Sequence, residues 1–161
     1  MLILIMGVAG SGKSTIGKEL AARIGYTFLE ADDFHSEDNK KKMASGIPLT
    51  DTDREPWLKS MSDAIREIDC TVLACSVLKE KYRKLLLSSS NRSIIIFLHG
   101  DRELLYERLT SRKSHFMNPK LLDSQLEILE EPKNCLKVHI SAPPDEAITE
   151  IIQYLESRNN S

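Results

Sequence analysis

Eight residues near the start of the chain carry its most specific chemistry: Gly7-Val8-Ala9-Gly10-Ser11-Gly12-Lys13-Ser14, the pattern G-x-x-x-x-G-K-S. Glycines at 7, 10 and 12 let a backbone curl without Cβ clashes, so that successive N–H groups converge on phosphate oxygens. Lys13 then reaches β and γ phosphates, and the Ser14 hydroxyl suits Mg²⁺. A chance glycine-rich turn is the competing reading. The flanks oppose it, because Leu2-Ile3-Leu4-Ile5-Met6 reads as a buried strand and Ser14 to Ile24 as a helix. On that helix Ile16, Leu20, Ala21 and Ile24 fall at helical spacing, and Gly25 can end it in the left-handed conformation.

Carboxylates come next. Tyr26-Thr27-Phe28-Leu29 reads as a second strand that delivers Glu30, Asp32 and Asp33 to its C-terminal end. In parallel α/β sheets that edge is where ligands sit. Beside a phosphate loop, such groups can hold Mg²⁺ or take a proton from a hydroxyl. Asp33 reads as a cap of the next helix and Asp32 as the chemical group.

Farther on, Asp51, Asp53 and Arg54 admit two readings. One is a capped helix start near Pro56 with a surface ion pair. The other is a patch for a small polar anion, since carboxylates accept from hydroxyls and a guanidinium grips a carboxylate in two-pronged fashion. Lys79 and Arg83, four apart, are expected to share one face of the helix after the third strand, as site cations or as a solvated face. Arg108 and Arg112 share a face of a later helix. The basic segment Lys113 to Asn118 after them suits a lid closing over a triphosphate, or a set of structural ion pairs. Trp57, the one tryptophan, reads as core, and His35, His99 and His139 have no metal-ligand spacing.

The elements that must position these groups alternate along the chain. Ser36 caps a short charged helix over 36–45, whose Lys40, Lys41 and Lys42 read as its solvated face. Thr71-Val72-Leu73-Ala74-Cys75, Ser93 to Leu98 and Leu136 to Ile140 read as strands three, four and five. Helices follow from Asp101, over 119–131, and after Pro143-Pro144. Strand–helix alternation predicts an α/β three-layer sandwich on a five-stranded parallel sheet.

The 161 residues suit one domain, 1–161, with a sizeable core. A net charge of −2 gives no broad basic field for nucleic acid. No apolar run approaches the roughly 20 residues that cross a bilayer. Met1 leads straight into the first strand, which predicts no signal peptide. Cys70, Cys75 and Cys135 form no C-x-x-C pair, consistent with a reduced, cytoplasmic protein.

Several longer stretches are more specific still. They are Asp32 with His35, the run Lys42-Met43-Ala44-Ser45-Gly46-Ile47-Pro48-Leu49-Thr50-Asp51-Thr52-Asp53-Arg54-Glu55-Pro56-Trp57-Leu58, then Cys75-Ser76-Val77-Leu78-Lys79 with Tyr82-Arg83, and Arg112-Lys113-Ser114-His115-Phe116. Together with the phosphate loop, over the whole chain, they resemble the gluconokinase family of small phosphate-loop kinases. In layout that family is similar to shikimate kinases and nucleoside monophosphate kinases. The resemblance implies a P-loop kinase fold with a lid at about 109–120 and a substrate-binding insertion at about 34–60. It implies transfer of the ATP γ-phosphate to the 6-hydroxyl of D-gluconate, with Mg²⁺, often as a homodimer, and with no nucleic acid or membrane partner.

Carried over by position, Gly7, Gly10, Ser11, Gly12, Lys13, Ser14 and Thr15 look like the nucleotide loop, with Arg108 also toward the nucleotide. Asp32 looks like the carboxylate facing the acceptor hydroxyl, and Lys13 and Arg112 like the cations of the transfer step. Arg54, Lys79 and Arg83 look like the sugar-acid anchor, with His35, Asp51 and His115 on the same side. Ser14 and Glu30 look like the metal ligands, although many family members carry Asp where Glu30 stands. Val77 replaces the family's Ala, and the segment between Trp57 and Cys75 is short. Two alternatives are another small-molecule kinase, such as one for shikimate, and a non-catalytic nucleotide-dependent switch. Cys75-Ser76-Val77 stands where shikimate kinases carry a glycine-rich turn. The only Asn-Lys, Asn39-Lys40-Lys41-Lys42, lacks the Asp of a guanine-reading motif.

Overall fold

Strand β1 (Leu2–Met6) is buried along its whole length, and its alternate side chains feed two separate cores. Ile3 and Ile5 pack with Ile16, Leu20 and Ala21 of helix α1 (Lys13–Ile24) and with Ile148, Ile151 and Leu155 of α7 (Pro144–Asn159). Leu2, Leu4 and Met6 pack with Trp57, Leu58, Met61 and Ile65 of α3 (Asp51–Arg66) and with Tyr82 and Leu86 of α4 (Glu80–Leu87). A strand sends successive side chains to opposite faces, so an unbroken apolar run is what a strand covered on both sides requires.

The computed structural model describes residues 1–111 and 119–160. Within them β2 (Thr27–Glu30), β3 (Thr71–Ala74), β4 (Ser93–His99) and β5 (Leu136–His139) complete a sheet in the order β2-β3-β1-β4-β5. Every pairing is parallel. From β1 the chain passes to the outer β2, returns to β3 between the two, and then crosses to β4 and β5 on the other side. The carboxyl end of β1 therefore opens into the crevice where such sheets bind ligands. Glu30 pairs with Ala74, which brings the β2 carboxylate to that same edge. The remaining helices are α2 (Glu37–Ala44), α5 (Arg102–Ser111) and α6 (Leu121–Ile128), with a 3₁₀ helix over Ala31–Phe34 after β2.

Two local expectations are corrected. Helix α3 begins at Asp51, five residues before Pro56. Its cap is Thr50, whose side chain accepts from Asp53 N–H while the Asp53 carboxylate accepts from Thr50 N–H. That reciprocal box satisfies two donors at once and outweighs the proline signal. Helix α4 begins at Glu80, so Lys79 is its extended N-cap and shares no helix face with Arg83.

Candidate active site

The phosphate loop is shaped by backbone that only glycine tolerates. Gly10 has φ 84°, and a Cβ there would stand 2.6 Å from the Leu105 carbonyl oxygen. Gly12, at φ 87°, immediately precedes α1, so the first N–H groups of that helix face the loop. Lys13 Nζ donates across the loop to Val8 O at 3.1 Å. The Ser11 hydroxyl is buried and makes no hydrogen bond among the described residues, an orphan that a phosphate oxygen would satisfy. The Ser14 hydroxyl donates to the Glu30 carboxylate. Burial raises the Glu30 pKa, with the Ser14 hydrogen bond opposing.

Against the loop lies a cavity of about 350 Å³. Asp32, His35, Asp51, Arg54 and Lys79 all line it, bringing together five groups from three stretches of sequence. Burial raises the Asp32 pKa, and the nearby Lys13 ammonium pulls it back. Arg54 Nη1 donates to Leu49 O at 2.6 Å, and the guanidinium lies 5.5 Å from the centre of the Tyr82 ring. Asp51 accepts from Lys81 and from the Tyr82 hydroxyl, which hold its pKa down to about 2. Lys42 leaves the solvated face expected for it and bonds both oxygens of Asp53, at 2.9 and 3.0 Å.

His35 is oriented from two sides. Its ring stacks on Trp57 with centroids 4.2 Å apart and planes 10° off parallel. Trp57, although buried, is thus also a cavity wall, held by its own Nε1–H to Ala31 O at 2.7 Å. Asn39 Nδ2 donates to Asp53 O at 2.9 Å, so nitrogen must be the atom on that side. The same nitrogen lies 3.4 Å from His35 Nδ1. Nδ1 therefore accepts, and the neutral ring carries its proton on Nε2. Burial first, then Arg54 and Lys40, pushes the His35 pKa down to about 4, so the ring is neutral at physiological pH.

The loop from Cys75 to Lys79 forms the next wall. Val77 has φ 27°, the one positive value among non-glycine residues described. A β-branched side chain resists that conformation, so the loop must be held from outside. Arg83 does so. It is buried, off the cavity wall, and its Nη1 donates to Val77 O and Leu78 O, each at 3.0 Å. Glu130 adds its N–H to Leu78 O and accepts the Glu80 N–H on its carboxylate, both at 2.8 Å. Only Lys79 of the expected Lys79–Arg83 pair faces the cavity.

Helix α6 closes the side nearest the phosphate loop. Gln125, a residue that no motif pointed to, lines the cavity, and its Oε1 accepts the Ala9 N–H at 2.7 Å. Asn39 was also missed, and Tyr82 stood in a quoted stretch but was given no role; both are buried on helices, where they resemble core.

On the far side of the loop a second cavity, of about 250 Å³, is lined by Ser11, Gly12, Thr15, Arg108 and the segment from His139 to Pro144. Arg108 donates through Nη2 to Ile140 O there. The β5–α7 wall was not anticipated, although Ser141-Ala142-Pro143-Pro144 after a strand at this edge was the available signal. Gly7 and Gly10 line neither cavity. They pack from behind, near Leu98 O and Leu105 O. Arg112 and His115 lie outside the described residues. Among those residues no group of three or more His, Cys, Asp or Glu could hold a metal, and no helix is long and apolar enough to cross a membrane.

Comparison with known proteins agrees with this geometry. The shikimate kinase family model matches residues 9–156. A probable gluconokinase of Dictyostelium discoideum is 46% identical over 173 aligned positions, covering 97% of this chain and 86% of the relative. A solved sugar kinase from Janibacter sp. HTCC2649 is 36% identical with a TM-score of 0.90, covering 96% of this chain and 94% of that one. A solved gluconokinase from Sinorhizobium meliloti 1021 is 38% identical with a TM-score of 0.83, covering 97% and 95%.

Proposed function

The chain belongs to the gluconokinases, within the broader shikimate kinase family, and from that premise we propose that it transfers the γ-phosphoryl group of ATP to the 6-hydroxyl of D-gluconate, giving 6-phosphogluconate and ADP. The observation that carries the reading is the cavity walled by Asp32, Arg54 and Lys79, joined to the phosphate loop through Gln125. It combines a carboxylate at Asp32 with cations at Arg54 and Lys79. A sugar acid needs a cation at its carboxylate, hydrogen-bonding groups along its hydroxyls and a base at the reacting end.

The mechanism follows from these residues. Phosphoryl transfer mainly needs positioning and charge stabilisation. Arg54 and Lys79 hold the acid end, and neutral His35 offers an Nε2–H donor along the chain of hydroxyls. Asp32 orients the terminal hydroxyl and takes its proton as the new oxygen–phosphorus bond forms and the β,γ-bridging bond breaks. Lys13 and the loop N–H groups neutralise charge on the phosphates, and the second cavity receives the nucleoside with Arg108. The Ser14 hydroxyl and Glu30 carboxylate, already in contact, are hard oxygen donors of the kind Mg²⁺ takes alongside phosphates and water. Bound there, Mg²⁺ would offset phosphate charge.

The same reading makes residues near 109–120 a lid and residues near 34–60 the acceptor-binding insertion. It places the protein in the cytoplasm. A homodimer would sediment at twice the chain mass. The test is an acceptor screen with ATP and Mg²⁺ over gluconate, other aldonates, shikimate and nucleoside monophosphates, read as ADP release. Gluconate should be turned over well above the rest. An inert gluconate beside another active acceptor refutes the substrate, and ATP hydrolysis indifferent to every acceptor refutes the kinase reading.

A further inference from the structure

Lys79 stands where a helix start suits it least. It is the N-cap of α4, and it gives that helix no side-chain hydrogen bond. N-caps are usually Ser, Thr, Asp or Asn, whose oxygens accept from the first free N–H groups. An ammonium only donates, and it sits badly at the positive end of a helix dipole. What the position offers Lys79 instead is the acceptor cavity. Its side chain lines that cavity, with Asp51 4.0 Å from Nζ.

Glu130 corrects both defects. Its carboxylate accepts the Glu80 N–H, the first of the helix, at 2.8 Å from 50 residues away. That contact supplies the acceptor that Lys79 lacks and sets a negative charge at the helix start. The Glu130 N–H donates to Leu78 O at 2.8 Å, which holds the residue before Lys79. Arg83 donates to the same carbonyl at 3.0 Å. Burial lowers the Arg83 pKa, and Glu130 is the first of the charges that oppose it. Glu130 itself is exposed and lines neither cavity, so it reaches the acceptor only through the residues it holds.

We propose that Glu130 is a positioning residue of the acceptor site: it caps α4 in place of Lys79 and so fixes the Lys79 ammonium for the acid end of the acceptor. Without that cap the first turn of α4 frays, and Lys79 moves with it. The proposal rests on the phosphoryl-transfer reading above and adds to it a residue that touches neither substrate.

Steady-state ADP release from the full chain with ATP, Mg²⁺ and gluconate tests it. Glu130→Ala removes the acceptor from an exposed position and leaves the core untouched. Glu130→Met repeats the change with the side-chain length kept. Either should raise gluconate KM about 10-fold, the size of a lost cap expressed wholly in acceptor binding, with kcat and ATP KM within about 3-fold. Glu130→Gln keeps an oxygen for the Glu80 N–H and should stay within about 3-fold of the wild type throughout. A double-mutant cycle separates positioning from general loosening. Once Lys79→Met has raised gluconate KM, adding Glu130→Ala should raise it less than about 2-fold further. Four results overturn the proposal. They are a wild-type gluconate KM in the Ala and Met variants, an ATP KM that rises with it, a Gln variant as impaired as the Ala variant, and the same rise persisting beside Lys79→Met. A wild type that turns over no gluconate fails the substrate reading and this one with it, whereas an active wild type with unimpaired variants refutes Glu130 alone.

Discussion

The Ser14 hydroxyl donates to the Glu30 carboxylate, joining the first turn of α1 to the last residue of β2. The two oxygens are in contact, and the proposed reading assigns them to Mg²⁺. Burial is the main force raising the Glu30 pKa, and a divalent charge would reverse it.

Glu30→Gln keeps the shape and a hydrogen-bond acceptor but removes the charge. The Mg²⁺ concentration for half-maximal activity should rise about 10- to 100-fold, with activity recovered at high Mg²⁺. A titration superimposable on the wild type would remove Glu30 from the metal shell.

Asp32 should show opposite effects on stability and rate. Burial raises its folded pKa, so its contribution to stability is full below the ordinary carboxylate value and is lost as pH rises through the raised one. At pH 7 the ionised group is unfavourable in the empty protein, and Asp32→Asn should raise Tm, with the gain vanishing near pH 4. The same change removes the base, so kcat should fall by about 10²-fold or more with little change in gluconate KM. A variant with normal kcat would leave positioning as the only role for this residue.

Arg54 and Arg83, assigned together by resemblance, should behave differently. Arg54→Ala should raise gluconate KM about 10- to 150-fold, the loss of one charged hydrogen bond of roughly 1.5 to 3 kcal/mol, with Tm nearly unchanged. Arg83→Met deprives Val77 O and Leu78 O of a buried donor, and should cost about 1 to 3 kcal/mol of stability in denaturant titrations. An unchanged KM in the first variant would return residues 51–54 to helix capping alone.

His35 predicts a pH signature. Its pKa is about 4 in the folded chain, below the ordinary 6.5, chiefly through burial. Between those values the unfolded chain binds more protons, so stability climbs with pH across about 4 to 6.5 and this contribution is flat above. In His35→Gln, Tm measured across that window should climb less steeply. An equal slope would mean that the ring is not desolvated as the stacking on Trp57 implies.

The phosphate loop, its strand and its helix were legible because the signals that mark them lie in adjacent residues. Gly12, Lys13 and Ser14 are neighbours in sequence, and the αL cap at Gly25 is a property of one residue. The uninterrupted apolar run of β1 likewise announced a buried strand, and the strand–helix alternation announced the parallel sheet. The longer motifs carried the family and, with it, the substrate.

Tertiary structure decided the rest. Strand order was not readable, because an apolar run does not say which neighbour it pairs with. The start of α4 turned on backbone held by Arg83 and Glu130, which separated Lys79 from Arg83 although their spacing suited one helix face. The tautomer of His35 depends on Asn39, whose other partner is a carbonyl 14 residues away. Gln125 reached Ala9 across 116 residues, and nothing in the pattern around it distinguished it from any polar residue on a helix. Local geometry is written in adjacent residues, whereas a partner brought by the fold leaves no mark at either end of the contact.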